Sequence, residues 1–343
     1  MVDASTEVPD SPRAWQEQVN FLGLSSQTIH NVPLKSASHV PREQFLMLRV
    51  LWKSHTSSAF LDYYDLSQWL PRANAMLKHV SSWDKYCKTF DPRSPIPEGT
   101  FAAARYYQLQ PPIRQPDFNP ATPSRKPNQT FETPHVVDNA DKSPSALSSF
   151  SPPSHWSTIS PDDEFMYPPT KDEQIVNTAL LVYLDSLTLH FNLPVSWSLH
   201  RMALTAEFTN AKFEARTDGY LADSSGDIKA IVEVKPMLRQ TKEPQIRIQE
   251  SHQMVAGLLM DYKSALPAPR NKPRIIISQD RQEIYISVAK YDDNYIAYLQ
   301  TGKNQNNPFM TMHQFGPWNT HSAAAMRELG PILLAISLRA QHY

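Results

Sequence analysis

From residue 170 onward the spacing of apolar side chains alternates between a helical and an extended period, and each change marks an element. Val176, Leu180, Tyr183, Leu184 and Leu187 recur at three- to four-residue spacing, which predicts a helix over 170–189. Thr170-Lys-Asp-Glu173 ahead of that stripe has the form of a capping box. Strands fit 195–208, 212–222 and 228–235, and a helix fits 244–263, opened by Pro244 and carrying Ile248, Val255 and Leu259 at helical spacing. Strands then fit 274–279 (RIIISQ), 283–289 (EIYISVA) and 295–300, and a last helix fits 321–340. The order is helix, three strands, helix, strands, helix, which predicts the α/β class.

Nearer the N-terminus, PREQFLMLRVLWK (41–53) carries apolar residues at helical spacing, with Pro41 suited to a first turn. SAFLDYYDLSQW (58–69) and residues 71–88 continue the pattern, so residues 1–110 read as a small α-helical module. Between the two halves the pattern stops. Residues 111–169 hold thirteen of the thirty prolines and no glycine. Such a stretch buries too little apolar surface to offset its ordering entropy, so the expectation is an extended, largely disordered Pro/Ser-rich linker. The domain division is therefore 1–110, 111–169 and 170–343.

Composition narrows the picture from there. A single cysteine, Cys87, excludes an internal disulfide and suits a reducing, intracellular setting, nucleus or cytoplasm. The first fifteen residues have no apolar core of a leader, and no apolar run approaches a membrane span, so no membrane is expected as partner. A formal net charge of −1 gives no support to nucleic-acid binding by bulk electrostatics. Two short basic clusters, Arg239, Lys242 and Arg247, then Arg270, Lys272 and Arg274, read as solvated loops or as a phosphate track.

The candidate chemistry lies in TDGYLADSSGDIKAIVEVK, residues 217–235. Ser224-Ser225-Gly226-Asp227 is a turn signal, with glycine where a tight turn needs positive φ. A hairpin with an even loop centred between Ser225 and Gly226 sets Asp218 opposite Glu233, Arg216 opposite Lys235 and Leu221 opposite Ala230. Opposed residues of an antiparallel pair share a face with Cβ atoms ~5 Å apart, so the two carboxylates repel unless something neutralises them. A divalent metal ion does so. Lys235, two residues beyond Glu233, shares that face, while Ala215, Thr217, Gly219 and Leu221 against Ile228, Ala230, Val232 and Val234 form a core side. Two rival triplets, Asp227-Ile-Lys229 and Asp261-Tyr-Lys263, sit at the turn and in a helix, where they lack this register.

With Asp218, Glu233-Val-Lys235 and a following helix in place, residues 170–300 resemble the PD-(D/E)XK nuclease superfamily, and in phrasing the nuclease-like proteins of filamentous fungi. The resemblance implies a restriction-endonuclease-like αβββαβ core with a mixed sheet. It further implies Mg²⁺ or Mn²⁺ held by Asp218 and Glu233, Lys235 serving the attacking water or the phosphate, and nucleic acid, DNA first, as substrate. Thr217 stands where many members have proline. A first-helix glutamate often completes such a metal site, and Glu173 fits that role as well as its capping role. A glutamine on the helix after the Glu-x-Lys strand commonly lies near the substrate; Gln249 is the candidate, with Gln253 four residues on. His252 reads as structural, and HQFGPWN (313–319) as a packing segment.

Two other readings remain open on the residues alone. A two-stranded ribbon with charge pairs on its solvent face needs no metal. A nuclease fold can also persist as a binding or regulatory protein without turnover, since fold does not fix function. The N-terminal module, for its part, suits the capture of a protein partner.

Overall fold

A computed structural model of the chain describes residues 7–36, 40–90, 93, 95–96, 98–110, 173–264, 274–304 and 306–342. The expected linker, 111–169, lies outside the described residues, as do Thr170, Asp172, Arg270 and Lys272. The architecture is mixed α/β around one mixed sheet.

Nine strands are described: β1 (Val50–His55), β2 (Val195–Ser198), β3 (Ala203–Glu207), β4 (Lys212–Arg216), β5 (Gly219–Asp223), β6 (Ile228–Lys235), β7 (Arg274–Asp280), β8 (Glu283–Lys290) and β9 (Met310–Asn319). Seven form the main sheet in the order β1-β9-β8-β7-β6-β5-β2, and β3 and β4 form a separate hairpin. The β1–β9 and β6–β7 pairs are parallel and the others antiparallel.

The helices are α1 (Pro12–Phe21), α2 (Arg42–Met47), α3 (Phe60–Tyr63), α4 (Leu70–Lys78), α5 (Ser81–Lys88), α6 (Phe101–Gln108), α7 (Glu173–Thr188), α8 (Glu243–Ser264), α9 (Asp293–Thr301) and α10 (Ala323–Ala340). They bury two cores, one on each face of the sheet, because strands buried on both sides expose an apolar row to each. On one face Ala230, Val232, Val234, Ile277 and Ile286 meet α7, α10 and the aromatics of α5 and α6. On the other, Ile231, Ile276 and Met312 meet α8, α9, α1, α2 and the β3–β4 hairpin.

The N-terminal region is not an all-α module. The expected helix 41–53 divides at Arg49, whose φ of 57° cannot continue a helix. Its guanidinium lies 4.5 Å from the ring centre of Trp15 and 4.9 Å from that of Phe309, which holds the break in place. Val50-Leu51-Trp52 then runs as β1, in register with β9 from Val50 against Met310 to His55 against Phe315. The described residues between 7 and 110 thus supply an edge strand and helices to both cores.

Residues 295–300, expected as a strand, lie inside α9. A short apolar run does not decide its own period, and here the caps decide it. Asp292 accepts a hydrogen bond from the Tyr295 N–H at 2.9 Å, and Gly302 ends the helix at a φ of 71°. Residues 313–319, expected as a packing segment, do pack, with Phe315 and Trp318 buried in the core, and they do so as the end of β9. The expected strands 195–208 and 212–222 each break in two, giving the β3–β4 hairpin between β2 and β5.

Candidate active site

The hairpin that carries the acidic pair forms by a different route from the even loop expected. The Asp223 N–H donates to the Asp227 carbonyl at 3.2 Å, so the loop is the three residues 224–226, with Gly226 at a φ of 88°. Asp223 organises it: one carboxylate oxygen accepts from the Ser225 N–H, the Ser225 hydroxyl and the Asp227 N–H at 3.0, 2.6 and 3.0 Å. Lys229 Nζ pairs with the other oxygen at 2.8 Å. Burial alone would raise the Asp223 pKa, but these donors hold it far below the usual carboxylate range.

An odd loop by itself slips the register by one residue and reverses every face. A bulge corrects it. Ala222 pairs with Ile228, but Leu221 pairs with Ala230, Tyr220 with Ile231 and Gly219 with Val232. From Leu221 onward the register is therefore the one expected, and Glu233 keeps the face of Ile231 and Lys235, under α8. Ala230, Val232 and Val234 fill the opposite core, as expected of that row. Ala215 and Ile228 do not join them; both belong to the core under α8.

Asp218 sits where the chain leaves the β3–β4 hairpin and enters the main sheet. Thr217 N–H donates to the Met202 carbonyl and Asp218 N–H to the Val232 carbonyl, both at 3.0 Å. Because β5 begins only at Gly219, the Val234 N–H has no strand partner on that side, and an Asp218 carboxylate oxygen accepts from it at 3.0 Å. Asn177 of α7 donates to the Asp218 carbonyl at 3.2 Å. The expected pairing of Arg216 with Lys235 is absent. Arg216 lies opposite Ala203 in the hairpin, with its side chain on Glu214, because the strand breaks at residues 217–218.

Glu233 is 1% exposed, and each of its oxygens is engaged. Gln249 Nε2 and Lys235 Nζ meet one oxygen, the former at 2.5 Å, and Gln253 Nε2 meets the other at 2.5 Å. The helix spacing of four residues puts both glutamines on one face of α8, turned down onto β6. Gln253 also donates to the Arg216 carbonyl at 2.8 Å, tying the hairpin to the same point. Burial pushes the Glu233 pKa up, Lys235 opposes this, and Asp218 adds to it. Burial pulls Lys235 down, but Glu233, Glu173 and Asp218 outweigh it and keep the ammonium charged.

The five residues singled out from the sequence, Asp218, Glu233, Lys235, Gln249 and Glu173, are thus brought into one electrostatic cluster. Gln253 joins it as a direct partner of Glu233. Arg201, in the loop between β2 and β3, was not legible as a member. Its Nη2 lies 3.1 Å from an Asp218 carboxylate oxygen and 3.4 Å from one of Glu173. No motif marks it, since only the β3–β4 hairpin folds that loop back against Asp218.

Carboxylate oxygens are the ligands that Mg²⁺ and Mn²⁺ prefer, and Mg²⁺ commonly uses one or two with its remaining positions on water. Asp218 and Glu233 supply that donor set. Among the described residues, no group of three or more carboxylate, imidazole or thiol side chains is gathered tightly enough to enclose an ion. Asp218 and Glu233 are the two carboxylates that would hold such an ion, with Glu173 nearby.

Of the two basic clusters, Arg239, Arg247 and Arg274 are tied into the fold by side-chain partners. Arg239 is buried and spans Asp280, both oxygens of Glu250, Gln314 at 2.7 Å and Ser278 at 2.8 Å. Arg274 is buried against Asp261. Arg247 reaches Ser54 at 2.6 Å and Glu243. These arginines cross-brace α8, β7, β9 and β1. Cys87 is buried, and burial raises its thiol pKa to about 11 against the opposing pull of Arg327, so it is packing, not a nucleophile. No described helix is long and apolar enough to cross a membrane. In comparisons with known proteins, the chain matches no protein-family model, no curated protein and no solved structure.

Proposed function

We propose that the chain is a metal-dependent nuclease-like protein that hydrolyses phosphodiester bonds in nucleic acid. One observation carries the reading. Two nearly buried carboxylates from adjacent segments, Asp218 and Glu233, share a site with a charged lysine two residues beyond the second. Burying such a set is costly unless function uses it. The order of elements supports the same reading. In α7, β2, β5, β6, α8 and β7, three antiparallel strands are followed by a helix and a strand parallel to β6. That is the order a restriction-endonuclease-like αβββαβ core requires, with the β3–β4 hairpin as an insertion.

Asp218 and Glu233 would hold Mg²⁺ or Mn²⁺, with the Val234 carbonyl and Glu173 as further oxygen donors. When bound, the metal supplies a water of lowered pKa and charge to offset the scissile phosphate. The protein does the rest. The Val234 N–H fixes the Asp218 carboxylate, and Gln249 and Gln253 fix that of Glu233. Lys235 pairs with Glu233 and opposes the effect of its burial, and its ammonium would offset charge developing on the phosphate. The test is cleavage of single- and double-stranded DNA and RNA with Mg²⁺ or Mn²⁺, beside Glu233→Gln protein. Metal-dependent cleavage lost in the variant supports the reading; cleavage that persists in Glu233→Gln refutes the assignment.

A second reading is favoured by a different observation. Every oxygen of Asp218 and Glu233 already has a protein partner. A site so fully satisfied without metal also suits a nuclease fold kept for binding or regulation. Absence of both metal binding and cleavage in folded protein would favour this alternative.

A further inference from the structure

Arg201 has no part in the nuclease reading above, yet it stands at its centre. It lies in the loop between β2 and β3, and its side chain is 49% exposed. The guanidinium meets an Asp218 carboxylate oxygen at 3.1 Å and a Glu173 carboxylate oxygen at 3.4 Å. The other Asp218 oxygen accepts from the Val234 N–H. The oxygen that Arg201 covers is thus the one not committed to the backbone.

The charges give this contact its meaning. Arg201 pairs with the carboxylates of Asp218 and Glu173, and Lys235 pairs with that of Glu233. A divalent ion taking the Asp218 oxygen that Arg201 covers has to displace one of these cations. The two cations are not equivalent. Lys235 is largely buried and held by Glu233, whereas half of Arg201 faces solvent on a loop, so only Arg201 can leave at small cost.

We propose that Arg201 is an exchangeable counter-cation: it holds Asp218 and Glu173 in the metal-free protein and is displaced when a divalent ion binds. The proposal rests on the reading of Asp218 and Glu233 as metal ligands. Arg201 thereby sets the metal affinity of the site without touching the metal. It also steadies the apo site, since it screens the Asp218 and Glu173 carboxylates from each other.

The exchange makes opposite predictions for the apo and loaded states. In Arg201→Gln protein the cost of breaking the arginine contacts is gone, so the site should take Mn²⁺ more tightly. A half-exposed pair is worth up to about 1 kcal/mol, which corresponds to an affinity gain on the order of fivefold. The same variant should melt at lower temperature than wild type without metal and recover more on adding Mn²⁺. Arg201→Lys keeps the charge but not the planar fork, and its affinity should fall between the two.

The experiment is direct Mn²⁺ binding, by calorimetry and by the paramagnetic resonance signal of free Mn²⁺, on wild type, Arg201→Gln, Arg201→Lys and Asp218→Asn. Tighter binding in Arg201→Gln, lost in Asp218→Asn, supports the exchange. Binding by Arg201→Gln where wild type binds none supports it too, with the arginine acting as a full block. Unchanged or weaker binding in Arg201→Gln, with Asp218→Asn still defective, overturns the exchange while leaving the metal site intact. If neither wild type nor Arg201→Gln binds Mn²⁺, the metal-site reading fails and the exchange fails with it.

Discussion

Acid should destabilise this protein through one buried histidine. His252, on α8, is fully buried. Its Nδ1–H donates to the Ile248 carbonyl at 2.7 Å, its Nε2 has no partner among the described residues, and the ring meets Phe213 edge-on with centroids 4.9 Å apart. Burial lowers its pKa from 6.5 to about 4, and the bond to Ile248 opposes this only in part. The folded state therefore resists a proton that the unfolded chain accepts, so stability is complete above about pH 6.5 and falls as pH drops towards 4. A shift of about 2.5 units corresponds to about 3.4 kcal/mol when fully expressed, and to about 2 kcal/mol at pH 5. Urea unfolding at pH 8 and pH 5 reads this directly in wild type and in His252→Leu. The variant loses the Ile248 bond and starts less stable, but its loss between the two pH values should be smaller by about 2 kcal/mol. Equal losses in both proteins would refute the argument, as would a His252 titration by NMR near the ordinary value.

Three further outcomes follow from the packing. Lys235→Met removes the cation from a buried carboxylate, so it should abolish turnover and also destabilise the fold by about 3 kcal/mol; adding Glu233→Gln should restore much of the stability but none of the activity, as a denaturation cycle would show. Arg239→Met leaves Glu250 and Asp280 facing each other without their shared cation, and should cost about 3–5 kcal/mol in chemical denaturation; a near-neutral result would mean the brace is dispensable. Gly330→Ala drives a Cβ into the Trp83 ring, so that ring or α10 must shift at a cost of about 1–3 kcal/mol, and an unchanged melting midpoint would contradict that packing.

How far the sequence carried this account depends on where the deciding force lay. The acidic pair was legible because strand alternation and one glycine locate a hairpin, and two departures, a three-residue loop and a bulge, cancel in the register. Gln249 was legible as a candidate because helix spacing after a Glu-x-Lys strand is local information, and the same spacing brings Gln253. Arg201 was not, since its place depends on the β3–β4 hairpin folding back, a non-local event. Helix α9 was misread because Tyr295-Ile-Ala-Tyr-Leu has no period of its own and the caps at Asp292 and Gly302 decide it. Strand β1 was hidden for a deeper reason. Val50–His55 becomes a strand only by pairing with β9, some 260 residues away, and helical spacing in the preceding Phe45-Leu-Met ran on without a local stop. Arg49, which makes that stop, relies on rings from α1, α9 and Phe309.

Whether Asp218 and Glu233 hold a metal ion is read from crystals grown with Mn²⁺ and measured at a wavelength where manganese scatters anomalously. A metal centre there gives an anomalous peak within about 2–2.5 Å of carboxylate oxygens from both residues, with water completing the coordination. A folded protein saturated with Mn²⁺ that shows no peak between those two carboxylates would contradict it.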